Sequence, residues 1–371
     1  MPAHKKLALV SNTAWSVWNF RKGLIIALLQ AGWQVDVLAP PGPFTAQIER
    51  LGCRFLPLRH LAPKGKKFYQ DLLLIRELYD YYRLGNYCWI LSYTIKPNLY
   101  TGLALRWSCA CWLPTVNGLG VVFLQKNLLS RLAAGLYRWS FRSAQRVVFQ
   151  NADDRRFFEE NGLVSPEKAI QVAGSGIDLS AFRPLPGKQF DRAPVFLFAG
   201  RLIAEKGVRE YIEAARKLQS MCPDARCLLS GLPAENPRAV NRAALEAHLE
   251  GSGVGLLVPT DDMAGLLDTV DCVVLPSYYG EGVPRILLEA LAKGLPLITS
   301  DMPGCKDTVE PGRNGWLVPP RDTDALFRAM FAFCQMSPQL RAAMGREGRS
   351  KAQHTFDEQL IIQKYLDILD S

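Results

Sequence analysis

Short apolar runs of strand length alternate with helix-length segments along this chain, and past residue 187 the alternation starts afresh. In the first half the runs are residues 7–10, 34–38, 54–56, 90–92, 113–116 and 146–149, with helical patterns around 22–30 and 44–51 between the earliest of them. Pro184, Pro186 and Gly187 interrupt the pattern as a linker, and strands resume at 195–198, 227–230, 255–258, 272–275 and 296–300. Strands separated by helices pair in parallel, because the crossover helix returns the chain to the same end of the sheet. The 371 residues exceed what one core usually fills. The expectation is therefore an α/β protein of two doubly wound, Rossmann-like domains, 1–178 and 179–356, followed by an amphipathic segment over 357–371. Ligands of such sheets sit beyond the carboxyl ends of the strands, so two facing domains are expected to enclose a cleft.

Charge divides unevenly between the halves. Residues 1–178 hold 22 Lys and Arg against 11 Asp and Glu, a net +11, and the remainder carries −2. A basic first half draws anionic partners, and an anionic membrane surface gains about 1 kcal/mol per nearby cation. Residues 124–142 interleave Lys126, Arg131, Arg138 and Arg142 with Leu128, Leu129, Leu132, Leu136, Tyr137, Trp139 and Phe141. Such a stretch fits either a helix lying in the membrane interface or a core-facing helix with a solvated basic side. The longest apolar runs, such as 24–29, fall far below the ~18 residues of a spanning helix, and the start of the chain leads directly into its first strand, with no room for a cleavable signal. Nine scattered cysteines without redox or zinc spacing fit a reducing cytoplasm, and His4, His60, His248 and His354 have no spacing that would hold a metal.

The chemistry concentrates in the second half. Residues 281–289 read Glu-Gly-Val-Pro-Arg-Ile-Leu-Leu-Glu, directly behind the strand at 272–275. Pro284 suits the first turn of a helix and Gly294 its stop. Glu281 then lies in the loop before that helix and Glu289 inside it. A helix entrance gathers unpaired N–H groups that suit a phosphate, and carboxylates accept bonds from sugar hydroxyls. The Gly282-Val283-Pro284 turn is thus a candidate seat for a nucleotide sugar, and an acidic surface helix is the plainer alternative. Upstream, residues 196–207 read as a strand, a glycine turn and a helix start that place Arg201 and Lys206 at a second helix entrance, either as a planar fork and a point charge suited to a diphosphate or as ordinary solvated loop residues. Residues 304–318 read as a glycine-bearing loop. Asp322-Thr-Asp324 has the form of a cation clamp, but its place before a helical run favours capping.

The order Gly-Ser-Gly-Ile-Asp178, Gly200-Arg201-Leu, Lys206-Gly207, Leu-Pro-Ser277 and Glu281-x7-Glu289 resembles the family 4 retaining glycosyltransferases with the GT-B fold. Asn19-Phe-Arg21, Lys96-Pro-Asn98-Leu-Tyr100, Asn117-Gly-Leu-Gly120 and Phe149-Gln-Asn151-Ala-Asp-Asp154 are similar to its PglA-like subgroup, which adds N-acetylhexosamines to polyprenyl-diphosphate-linked sugars. The resemblance implies that the last helix crosses back to the first domain. It also implies a UDP-sugar donor held by Arg201 and Lys206 at the diphosphate, Glu289 at the ribose and Glu281 at the transferred sugar. Arg21, Lys96, Asn117 and Gly118 are then candidates for the lipid-linked saccharide acceptor, on the cytoplasmic side of the membrane. No metal or other cofactor is expected, nor a nucleic-acid partner. No histidine occupies 12–20 or 117–120, where many relatives have one near the reacting sugar, which leaves the general base unassigned. A nucleotide-sugar 2-epimerase of the same architecture, or a nucleic-acid-binding protein drawing on the basic half, are the alternatives.

Overall fold

The computed structural model describes residues 5–61, 68–107, 109–120, 123, 128–231 and 242–371. They form two units, 1–176 with 358–371, and 177–357.

The first unit holds a seven-stranded sheet of β1 (Lys6–Val10), β2 (Gln34–Ala39), β3 (Arg54–Pro57), β4 (Trp89–Tyr93), β5 (Cys111–Val116), β6 (Val147–Phe149) and β7 (Ala169–Gln171). Its helices are α1 (Ala14–Gln30), α2 (Thr45–Glu49), α3 (Phe68–Gly85), α4 (Ile95–Ala104), α5 (Leu128–Phe141) and α6 (Ala152–Glu160). The strand order is β3-β2-β1-β4-β5-β6-β7 and every pair is parallel. Successive side chains of a strand point to opposite faces. Ala8 and Val10 accordingly join one core with Leu74, Tyr137 and Phe158, while Leu7 and Leu9 join another with Ile25 and Leu28.

In the second unit follow β8 (Val195–Ala199), α7 (Val208–Met221), β9 (Arg226–Ser230), α8 (Arg242–Leu249), β10 (Val254–Leu257), α9 (Met263–Asp268), β11 (Cys272–Leu275), α10 (Arg285–Ala292), β12 (Leu297–Ser300), β13 (Gly315–Val318), α11 (Thr323–Gln335) and α12 (Pro338–Lys351). The order is β10-β9-β8-β11-β12-β13, again parallel throughout. The final helix, α13 (Glu358–Asp370), belongs to the first unit, where Ile361, Ile362, Tyr365 and Leu369 complete the core beside α1. The Tyr365 hydroxyl and Thr115 Oγ1 are hydrogen-bonded at 2.7 Å.

Two local expectations are corrected. Residues 315–318, expected in a loop, form β13, because pairing with β12 supplies the hydrogen bonds that four residues beginning with glycine cannot secure alone. Helix α1 begins at Ala14 and not near residue 22, since the Thr13 hydroxyl accepts from Ser16 N at 3.0 Å and caps the helix two turns earlier. Part of the 124–142 stretch, 124–127, lies outside the described residues, as do the side chains of Leu128 and Leu129. The rest forms α5, whose Tyr137 and Phe141 enter the core while Leu132, Leu136 and Trp139 are exposed. The core-facing reading thus holds for the face that carries Tyr137 and Phe141.

Candidate active site

The strand order of the second sheet reverses between β8 and β11, and in open parallel sheets ligands bind beyond the carboxyl ends at that point. β8 leads through Gly200 to Arg201 and Lys206, and β11 through Pro276 and Ser277 to Glu281. The two loops touch closely only because Gly207 has no side chain. It sits at φ +78°, and a Cβ there would lie 2.3 Å from the Pro276 carbonyl oxygen. The Tyr278 amide donates to the Glu205 carbonyl at 2.8 Å and ties the loops together.

Within this junction Lys206 Nζ stands 2.5 Å from Glu281 Oε2, with side chains 9% and 12% exposed. Ser277 Oγ donates to the other carboxylate oxygen, Oε1, at 2.6 Å. Glu281 is therefore oriented on both oxygens. Arg201 is exposed, with its guanidinium 5.2 Å from the Tyr279 ring centroid. Pro284 caps α10 without a side-chain bond, so the first amides of that helix face its entrance. Gly304, at φ +79°, is packed against the loop, where a Cβ would lie 1.8 Å from the Gly282 carbonyl oxygen. Behind the site burial pushes the Cys305 thiol up to about 12, which leaves it a neutral wall.

The structure thus brings Arg201, Lys206, Glu281 and the Gly282-Val283-Pro284 turn together. Glu289 lies one turn inside α10, where Arg285 Nε donates to its Oε1 at 3.0 Å. Burial raises the Glu289 carboxyl above its ordinary value, against the opposing pull of Arg285. Ser277, Tyr279 and Gly304 are the contributors that sequence reasoning gave no role. Ser277 stood within a recognised motif, but nothing local signalled that its hydroxyl would reach Glu281. Asp322 caps α11 by accepting from Ala325 N at 2.8 Å, as its context predicts, and Asp324 pairs with Lys217.

Of the residues considered for an acceptor, Lys96 is already ion-paired, 3.0 Å from Asp71. Asn117 Oδ1 accepts from the Thr94 amide at 3.1 Å, fastening the end of β5 to that of β4. Gly118 follows at φ +118°, a conformation that accounts for glycine there. Arg21 is 5% exposed, its guanidinium 4.0 Å from the centroid of the Tyr93 ring.

Comparisons with known proteins bear on the family and the fold. Residues 22–181 match the model described as Glycosyltransferase Family 4, and residues 186–351 match Glycosyl transferases group 1. The chain is 27% identical, over 98% of both chains, to the N,N'-diacetylbacillosaminyl-diphospho-undecaprenol alpha-1,3-N-acetylgalactosaminyltransferase of Campylobacter jejuni. It is 24% identical, over 70% of each, to the UDP-Gal:alpha-D-GlcNAc-diphosphoundecaprenol alpha-1,3-galactosyltransferase of Escherichia coli. Among solved structures it resembles the sucrose-phosphate synthase of Thermosynechococcus elongatus, at a TM-score of 0.82 and 22% identity over 98% of both chains. It also resembles Anabaena Alr3699/HepE, solved with UDP and glucose, at 0.81 and 19% over 99% of this chain and 100% of that one. The chain belongs to the glycosyltransferases with family 4 and group 1 domains and has the GT-B fold.

Proposed function

We propose that this glycosyltransferase moves an N-acetylhexosamine from a UDP-sugar to a lipid-linked saccharide, with retention of anomeric configuration and without a metal, in the assembly of a surface glycan. The observation that carries the reading is the Ser277–Glu281–Lys206 chain of contacts at the switch point of the second sheet, with Arg201 and the α10 entrance beside it. The name of the Campylobacter relative supports the sugar class, that of the Escherichia relative a UDP-linked donor, and both the diphosphate-linked acceptor.

In this reading the donor diphosphate takes one of the three Lys206 donors while another keeps Glu281. Arg201 supplies a second cation, and the unpaired amides at the start of α10 add their partial positive charge. Glu281 accepts a hydroxyl of the sugar, and Glu289 a hydroxyl of the ribose. The acceptor oxygen bonds to the anomeric carbon as the bond from that carbon to the diphosphate oxygen breaks. The acceptor's proton passes to the departing diphosphate, which supplies the base that no histidine provides. The cations stabilise charge that grows on the leaving group, so they act most strongly in the transition state.

Among the described residues no helix is long and apolar enough to cross a membrane. The outer face of α5 supports peripheral attachment instead: Leu132, Leu136 and Trp139 are 59%, 44% and 39% exposed, beside exposed Arg131 and Arg142, with the Arg106 guanidinium 3.6 Å from the Trp139 ring centroid. An apolar stripe bordered by cations fits an anionic bilayer surface.

A panel of UDP- and GDP-sugars offered with short-chain polyprenyl-diphosphate saccharides tests the proposal. The expected product is an α-linked N-acetylhexosaminyl saccharide from the UDP donor, formed equally well in excess chelator. Epimerised nucleotide sugar without acceptor would instead make the chain a 2-epimerase.

A further inference from the structure

The first sheet also reverses its strand order, between β1 and β4, and what stands at that point is unusual for a ligand-free interior. Arg21, from the helix after β1, is 5% exposed and lies over Tyr93, the last residue of β4. Among the described residues it has no ion pair and no hydrogen bond, and its guanidinium lies over the Tyr93 ring. A buried guanidinium without an anion is costly, and no carboxylate among those residues stands within ion-pairing distance of it.

The next residue, Thr94, has φ 74° and ψ 165°, a backbone region reserved almost entirely for glycine and strained for a β-branched residue. Its hydroxyl is buried without a hydrogen-bond partner, and it does not cap the ten-residue helix α4 that starts behind it. The strained geometry is held in place by Asn117, which accepts the Thr94 amide. Three independent features therefore meet at one end of the sheet: an uncompensated cation, an unused hydroxyl and the positive end of a helix. Lys96 is a poorer anion ligand, because Asp71 already neutralises it.

We infer that Arg21 and Thr94 form a phosphate-binding subsite at the switch point of the first sheet, and that it takes the diphosphate of the acceptor. The assignment rests on the proposed function for the acceptor's identity, whereas the phosphate chemistry follows from the residues themselves. The same chemistry could be offered by a phospholipid headgroup, so the experiment separates the two.

The full chain carrying Arg21→Gln or Thr94→Gly is compared with the unchanged protein. With a short-chain polyprenyl-diphosphate saccharide at saturating donor, Arg21→Gln is expected to raise the acceptor KM by about tenfold or more, the scale of a lost charged hydrogen bond. Inorganic pyrophosphate, titrated calorimetrically in the presence of UDP, is expected to weaken to the same degree. Thr94→Gly removes the hydroxyl and relieves the backbone, so its acceptor KM is expected to rise about threefold while its melting temperature holds or increases. A purely structural Thr94 would lower the melting temperature and leave KM alone. Binding to phosphatidylglycerol vesicles is expected to be unchanged in both variants.

Acceptor KM within about twofold of the unchanged protein for Thr94→Gly overturns the subsite, and that variant decides alone if Arg21→Gln does not fold. Vesicle binding lost together with acceptor affinity overturns the assignment to the acceptor and gives the site to a lipid headgroup. A chain that binds no UDP contradicts the proposed donor, while the pyrophosphate titrations of the unchanged and Arg21→Gln proteins still decide the subsite.

Discussion

Lys206 and Glu281, 75 positions apart, meet at 2.5 Å in an ion pair that is nearly closed to solvent and anchored by Ser277. The donor diphosphate in the proposed reading meets this neutral, oriented pair and not a bare cation. Such a pair fixes the positions of both charges before the ligand arrives, which lowers the reorganisation needed in the transition state.

Removing one partner strands the other. Lys206→Met and Glu281→Gln are each expected to lower stability, Lys206→Met the more, by about 3–5 kcal/mol because a buried carboxylate loses its lysine. The double variant should cost less than the sum of the two. Urea denaturation of the four proteins checks this, and additive costs would mean that the pair is not coupled.

Glu281→Gln separates sugar contact from diphosphate binding. Transfer should fall about a hundredfold, as for loss of one preorganised polar contact, while UDP affinity changes little. Steady-state transfer and UDP titration on the same preparation check it. Unimpaired transfer would remove Glu281 from the sugar site.

Gly304→Ala tests the packing behind the loop. The new Cβ would fall 1.8 Å from the Gly282 carbonyl at a φ of +79°, so the α10 entrance has to shift. Transfer should drop by about a hundredfold, the scale for a misplacement near 1 Å, with the circular dichroism of the folded chain retained. Transfer assays with melting curves distinguish this from global unfolding.

Glu289 makes stability depend on pH. Burial raises its folded-state carboxyl above the ordinary 4.5, so ionisation disfavours the fold, and stability present below pH 4.5 is lost as pH rises through the elevated value. Glu289→Gln has no such titration. The melting temperature of the variant relative to the unchanged protein should therefore increase from pH 4.5 upward, and scans across that range check the sign.

The parallel strands were easy to read because burial on both faces makes them apolar throughout; all five residues of β8 and all four of β11 are buried. The exceptions have physical causes. β13 exists through pairing with β12, a non-local term, and the first turns of α1 are disguised by Trp15, Trp18 and Phe20, which blur the helical period. In the site, cations at a helix entrance and carboxylates near Pro284 were legible as residue types. Their pairing was not, since Lys206 meets Glu281 only after the sheet places β8 beside β11. The strain at Thr94 was equally hidden, because threonine gives no local sign of a glycine-like φ.

In the proposed function a nucleotide diphosphate binds at the switch point of the second sheet between Arg201 and Lys206. Calorimetric titration of UDP into the unchanged chain and into Arg201→Ala and Lys206→Ala tests it most directly. Saturable one-to-one binding is expected, weakening by about tenfold or more in each variant, the scale of a lost charge-assisted bond. Equal UDP affinity in all three proteins would contradict it.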